Sequence, residues 1–139
     1  MDLTELLEIG EKERQAERSI RIRVCVAAGC LSANAQAVKQ SLETAVAEAG
    51  LTDSVQVAGV GCIGLCSGGP LVAVDPENIL YEKVTTADAP SIVAALQGGA
   101  PATARQADFN HPFFTKQVPI VLENSGKIDP ERIEDYIAA

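Results

Sequence analysis

Four cysteines carry most of the chemistry this sequence offers, and they stand in two pairs: Cys25-x4-Cys30, thirty-one intervening residues, then Cys62-x3-Cys66. Thiolates so grouped can ligate zinc, exchange disulfides or hold an iron–sulfur cluster. Structural zinc uses pairs of this general kind, often in small domains without a core; a chain able to build a core without metal disfavours it. A dithiol oxidoreductase wants C-x-x-C at the opening of a helix, and neither pair has that spacing. A [2Fe-2S] cluster takes four thiolates, two per iron, so each loop wraps part of it. The spacing differs from the plant-type ferredoxin pattern, so a different fold must supply the frame. Gly29, Gly59, Gly61, Gly64, Gly68 and Gly69 crowd the cysteines; their lack of side chain lets backbone N–H groups approach sulfur and tune a potential. Zinc, a redox disulfide and four unligated core cysteines stay open as alternatives, the last disfavoured by the pairing.

Gly59, Gly61 and Gly64 also spell G-x-G-x-x-G. A dinucleotide turn needs a helix directly after it to receive the pyrophosphate. Gly68, Gly69 and Pro70 exclude one, so the nucleotide reading fails.

The elements that must position the cysteines follow from periodicity. Residues 20–26 alternate apolar and basic positions as a half-buried strand does, and residues 54–60 form a second strand. AAGCLS breaks the first pattern. Between them Val38, Leu42, Ala45, Val46 and Ala49 recur at helical spacing, with Gly50 at the end. Residues 71–75 and 79–84 read as a hairpin turning at Pro76, Glu77 and Asn78. A short helix capped by Thr86 or Asp88 runs to Leu96 and stops at Gly98-Gly99. The order over 20–97 is β-α-β then β-β-α, an α/β thioredoxin-like fold with one right-handed parallel crossover. Each cysteine pair then lies at the carboxyl end of a strand, and in neighbouring parallel strands both loops open at the same end.

Around that domain the sequence predicts a charged helical arm at 1–19, capped by Thr4, for docking or frayed. It also predicts a small-residue linker at 98–117 and a C-terminal extension at 118–139. The extension holds the apolar stretch Val118–Leu122 and a helix started by Asp129 and Pro130. That helix has no C-cap, so the chain reads as cut from a longer protein. His111 sits in the linker as a surface or packing residue, Phe113 and Phe114 as anchors, Glu134 and Asp135 as a solvated face.

Composition closes off other classes. The 139 residues suffice for one domain with a real core plus extensions, and 47% are apolar. The net charge of −8 is spread over the whole length without a Lys/Arg cluster, which excludes a nucleic-acid footprint. The acidic start is no signal peptide, and no apolar run reaches the ~20 residues that span a membrane. A cytoplasmic protein without membrane insertion is expected, where cysteines serve as ligands or catalytic thiols.

RVCVAAGC with GVGCIGLCSGGPLVAVDPENILYEKV resembles the thioredoxin-like [2Fe-2S] ferredoxins. These include the small iron–sulfur subunit of respiratory complex I and a domain fused ahead of related flavoproteins. Cys25, Cys30, Cys62 and Cys66 match the family's C-x4-C…C-x3-C pattern, so the resemblance implies that these four hold the cluster. The short interval between pairs favours the fused form. VLENSGKIDPERIEDYIA is similar to the lead-in of the NADH-binding flavoprotein of a bidirectional NAD-reducing hydrogenase. The resemblance implies a one-electron carrier in a diaphorase module, partnered by other iron–sulfur and flavin subunits. FMN, NAD and a further iron–sulfur cluster would belong to the region downstream, so no hydride transfer is expected of this chain alone. A second alternative is a docking domain whose cluster is peripheral to the main electron path.

Overall fold

The computed structural model describes residues 2–139. Its framework is a five-stranded sheet. β1 (Ile20–Cys25) and β2 (Val55–Val60) are parallel, and β3 (Val72–Asp75), β4 (Ile79–Glu82) and β5 (Arg105–Ala107) follow antiparallel, in the order β2-β1-β3-β4-β5. The crossover from β1 to β2 runs through α2 (Ala28–Ser32) and α3 (Ala35–Glu48). α4 (Ala89–Leu96) packs against α3.

Alternation along β1 sets the core. Ile22 and Val24 are fully buried on one face, while Arg21 and Arg23 are half-buried on the other. Val38, Leu42, Ala45 and Val46 of α3 and Ile92 and Val93 of α4 join that core with Val72, Val74 and Leu80. Each of the Val, Leu and Ile side chains contributes about 1.5–3 kcal/mol by leaving water. α3 ends in a Schellman arrangement: Leu51 N–H donates to the Val46 carbonyl at 3.0 Å and Gly50 N–H to Ala47 at 3.0 Å. Gly50, at φ +69°, takes the left-handed residue this motif needs. Ala49 is exposed, so the apolar stripe closes one position earlier than the spacing indicates.

The peripheral elements differ from the sequence expectations in several places. The AAGCLS stretch forms α2, a helix of a little over one turn, rather than a plain break. Residues 98–117 are more than a linker: they carry β5, paired with β4, and α5 (Pro112–Thr115), whose first turn His111 Nδ1 caps by accepting from Phe113 N–H at 3.1 Å. Phe114 packs on the core and meets Phe109 and Phe113 edge-on, the anchoring expected of it.

The arm folds as α1 (Leu3–Ala16), capped not by Thr4 but by a box in which Asp2 Oδ1 accepts from Glu5 N–H at 2.9 Å and Glu5 returns the bond at 2.8 Å. Met1 lies outside the described residues. Asp88 stands at the N-cap position of α4, one of the two residues expected there, but its side chain faces back and accepts from the Thr85 N–H and hydroxyl, so that Thr85 anchors the turn ahead of the helix.

The last helix, α6 (Ile133–Ala138), starts three residues after Pro130. Asp129 is committed elsewhere, with Oδ1 accepting from Glu131 N–H and its own N–H donating to Asp135. Asp135 is no solvated face residue: its side chain is 10% exposed and pairs with Arg21 and Arg132. Gly10 of α1 is buried against the Ile137 carbonyl, so arm and tail pack as one layer. Val118, Ile120, Val121 and Leu122 are exposed. No helix among the described residues is long and apolar enough to cross a membrane.

Candidate metal centre

Parallel pairing of β1 with β2 aligns Cys25 with Val60, so the two cysteine loops leave the same sheet end side by side. Val26 N–H continues the ladder into the Val60 carbonyl at 2.9 Å, and Cys25 N–H reaches Leu71 O at 3.1 Å. The first loop then turns into α2, which carries Cys30. The second runs through Gly64, at φ +99°, into a short 3-10 turn over Cys66–Gly68. That turn is too short to receive a nucleotide phosphate, which settles the G-x-G-x-x-G spelling as incidental.

Cys25 and Cys30 are buried, Cys62 is half-buried and Cys66 exposed; none is in a disulfide. The Cys25 and Cys30 side chains are hydrogen-bonded to each other, and Leu71 N–H donates to Cys30 sulfur. Cys62 Sγ and Cys66 Sγ lie 3.7 Å apart. The loops also face each other, since a Cβ at Gly29 would lie 3.9 Å from Cys66 Sγ. The hydrogen-bonded sulfurs fall within the two cysteine pairs, Cys25 with Cys30 and Cys62 with Cys66.

Burial, reinforced by the hydrogen bond with Cys25, pushes the Cys30 thiol up to about 12. The hydrogen bond that the Cys66 thiol shares with Cys62, then the charge of Cys62, raises Cys66 above the usual thiol value. Both are protonated in the metal-free protein at neutral pH, so loading of iron must displace protons.

The glycines divide into those that are needed here and those that are not. A Cβ at Gly69 would sit 2.9 Å from Cys30 Sγ, closer than side-chain carbons come, so only glycine leaves that sulfur its place. At Gly68 it would meet Glu82 Oε2 at 3.0 Å, a carboxylate paired with Arg105 at 2.6 Å. The donor set of four soft thiolates and the side-chain-free cradle beside Cys30 fit a [2Fe-2S] group. Two contributors had no local signal: Ser125 and Gly126, which touch the Cys62 loop from more than sixty positions away.

A thioredoxin-like sheet with thiol pairs at the ends of two adjacent parallel strands is the architecture of a small iron–sulfur protein. Residues 12–97 match the thioredoxin-like [2Fe-2S] ferredoxin family, and the chain belongs to it. It is an electron-carrier iron–sulfur domain. A 2Fe-2S ferredoxin of Clostridium pasteurianum is 36% identical over 64 residues, 46% of this chain and 63% of that protein. The alignment thus spans less than two thirds of that relative. The thioredoxin-like [2Fe-2S] ferredoxin of Aquifex aeolicus shares the fold at TM-score 0.55 and 23% identity, covering 64% of this chain and all of that one. A cysteine-to-serine variant of the same protein gives 0.53 at 24% identity, covering 62% of this chain and 99% of that one.

Proposed function

We propose that Cys25, Cys30, Cys62 and Cys66 supply the four thiolates of one [2Fe-2S] cluster, and that the chain carries single electrons in the diaphorase module of an NAD-linked hydrogenase or NADH dehydrogenase. The observation that carries the ligand assignment is the convergence of both cysteine loops at one end of the β1–β2 pair. The module assignment is supported by the likeness of residues 121–138 to a flavoprotein lead-in. FMN, NAD and a further iron–sulfur cluster then belong to the region downstream of this chain, and other iron–sulfur and flavin subunits are its partners.

When bound, the cluster accepts and donates one electron without any group transfer. The chain's task is to set potential and distance. Buried Cys25 and Cys30 exclude water from one side of the site, and the Leu71 N–H directed at Cys30 sulfur stabilises added negative charge. Exposed Cys66 marks the side on which an electron leaves or enters.

The test is elemental and spectroscopic. Anaerobically purified protein is expected to hold iron and acid-labile sulfide in equal amounts, and to give an S = 1/2 EPR signal after dithionite reduction. Serine at any of the four cysteines abolishes or shifts that signal. Zinc in place of iron overturns the ligand assignment. With a diaphorase flavoprotein added, NADH generates the same signal; a cluster that dithionite reduces but NADH and flavoprotein do not overturns the module assignment.

A further inference from the structure

Residues 124–128 form a turn, with Lys127 N–H and Ile128 N–H both donating to the Asn124 carbonyl. This turn lies against the loop that carries Cys62. Ser125 Oγ donates to the Cys62 carbonyl at 2.8 Å, and Gly61 N–H donates to the Ile128 carbonyl at 3.2 Å. Between these bonds the two backbones nearly touch. A Cβ at Gly126 would lie 3.0 Å from Ile63 Cα and 3.1 Å from the Cys62 carbonyl oxygen. Gly126 also sits at φ +75°, so glycine is required there twice, by conformation and by space.

The turn is held in place from the sheet. Arg23 Nη1 donates to the Gly126 carbonyl at 2.5 Å, while Nε and Nη2 grip both Asp75 oxygens at 2.6 and 2.9 Å. The Arg23 guanidinium is mostly buried, and the bidentate carboxylate fixes its plane. The chain of contacts therefore runs Asp75, Arg23, Gly126, Cys62.

The Cys62 loop needs such support. Gly61 and Gly64 flank it with the backbone freedom that glycine brings, and its neighbour Cys66 is exposed. A ligand on a loose loop is presented in many directions, and fixing the backbone on both sides restricts them.

We propose that Ser125 and Gly126, clamped by Arg23, are positioning residues for Cys62: they fix the backbone of residues 61–63 and thereby the direction of that thiolate. The proposal rests on Cys62 being a cluster ligand. It extends the site beyond the cysteine domain into a stretch outside the family-matched residues 12–97.

The test uses the full chain, metal-free and then reconstituted. In the metal-free protein, site-resolved labelling by iodoacetamide follows each cysteine separately. Ser125→Ala and Gly126→Ala are expected to speed labelling of Cys62 at least threefold and to leave Cys25 and Cys30 unchanged. After reconstitution with iron and sulfide, both variants shift the EPR g values and lose iron to a chelator at least threefold faster. Ser125→Thr keeps the hydroxyl and restores both readouts.

Unchanged Cys62 labelling in both alanine variants overturns the proposal, as does equal acceleration at all four cysteines. If circular dichroism shows Gly126→Ala unfolded, Ser125→Ala decides. A wild-type chain that takes up no iron, yet whose Cys62 responds to Ser125→Ala, sinks the cluster reading and leaves the clamp standing. A normal cluster with an unresponsive Cys62 does the reverse.

Discussion

Cys30 and Gly69 form the tightest pair at the site. The sulfur is buried, hydrogen-bonded by Cys25 and by Leu71 N–H, and faced by a residue with no room for a side chain. Gly69→Ala inserts a methyl group at 2.9 Å from Cys30 Sγ, and overpacking of this kind typically costs 1–3 kcal/mol. The expected outcome is a folded protein with a lower melting temperature and less than half the wild-type iron per chain. Gly64→Ala is the control, since no atom lies within 4 Å of its Cβ position and only its positive φ is strained. Equal iron retention in Gly69→Ala and wild type would show that the sulfur moves freely. The sequence marked these glycines as a group; only their neighbours show which of them are needed.

At the level of elements, the turn before α4 shows how a cap sets pH dependence. Burial is the largest single influence on Asp88 and pushes its carboxyl up. The hydrogen bonds from the Thr85 hydroxyl and N–H and from Thr103 together outweigh it, leaving the group below the usual carboxylate value of 3.8. A depressed folded pKa means that the unfolded chain binds the proton first as pH falls. The stabilisation is therefore complete above about pH 4 and is lost as pH drops through the lower folded value. Urea midpoints of wild type and Asp88→Asn should differ at pH 6 and draw together as pH falls below the usual carboxylate value. A constant gap across that range would remove the carboxylate from the account.

Elements legible in the sequence were those whose pattern is local. β1 alternates, α3 repeats at helical spacing, and the hairpin turns at Asn78, whose φ of +55° suits asparagine. Caps were misplaced by two or three residues: Thr4 is as acceptable by type as Asp2, and α6 opens at Arg132 without a side-chain cap because Asp129 accepts from Glu131 N–H in the turn before it. Which oxygen meets which N–H depends on the exact backbone path. β5 was missed because RQA has no strand signature; its three residues are extended only because β4 offers an open edge.

For the whole molecule, Asp135 ties the α1–α6 layer to the sheet. It accepts from Asp129 N–H at 3.0 Å, pairs with Arg132 at 2.8 Å and faces Arg21 at 3.5 Å, while Arg132 reaches Glu13 of α1 at 3.1 Å. Arg21 Nε is buried and has no hydrogen-bond partner among the described residues, and the guanidinium is held through Nη2 by this carboxylate. Asp135→Ala leaves the part-buried Asp129 N–H and the Arg21 guanidinium without their carboxylate, at about 1–3 kcal/mol for a buried donor so stranded. Amide exchange should then accelerate across α1 and α6 while β1 and β3 keep their protection. Acceleration throughout the sheet would mean that the layer and the core unfold as one unit.

The sequence by itself determined the four cysteines, their pairing, and the order of strands and helices that sends both pairs to one sheet end. Residue type, spacing and hydrophobic period are local properties and survive without coordinates. Only the tertiary structure decided that β5 closes the sheet edge, that Asp135 is half-buried and paired with Arg21 and Arg132, and that Ser125 and Gly126 press on Cys62. Contacts between positions more than twenty residues apart depend on how the chain returns to itself, which no short window of sequence contains.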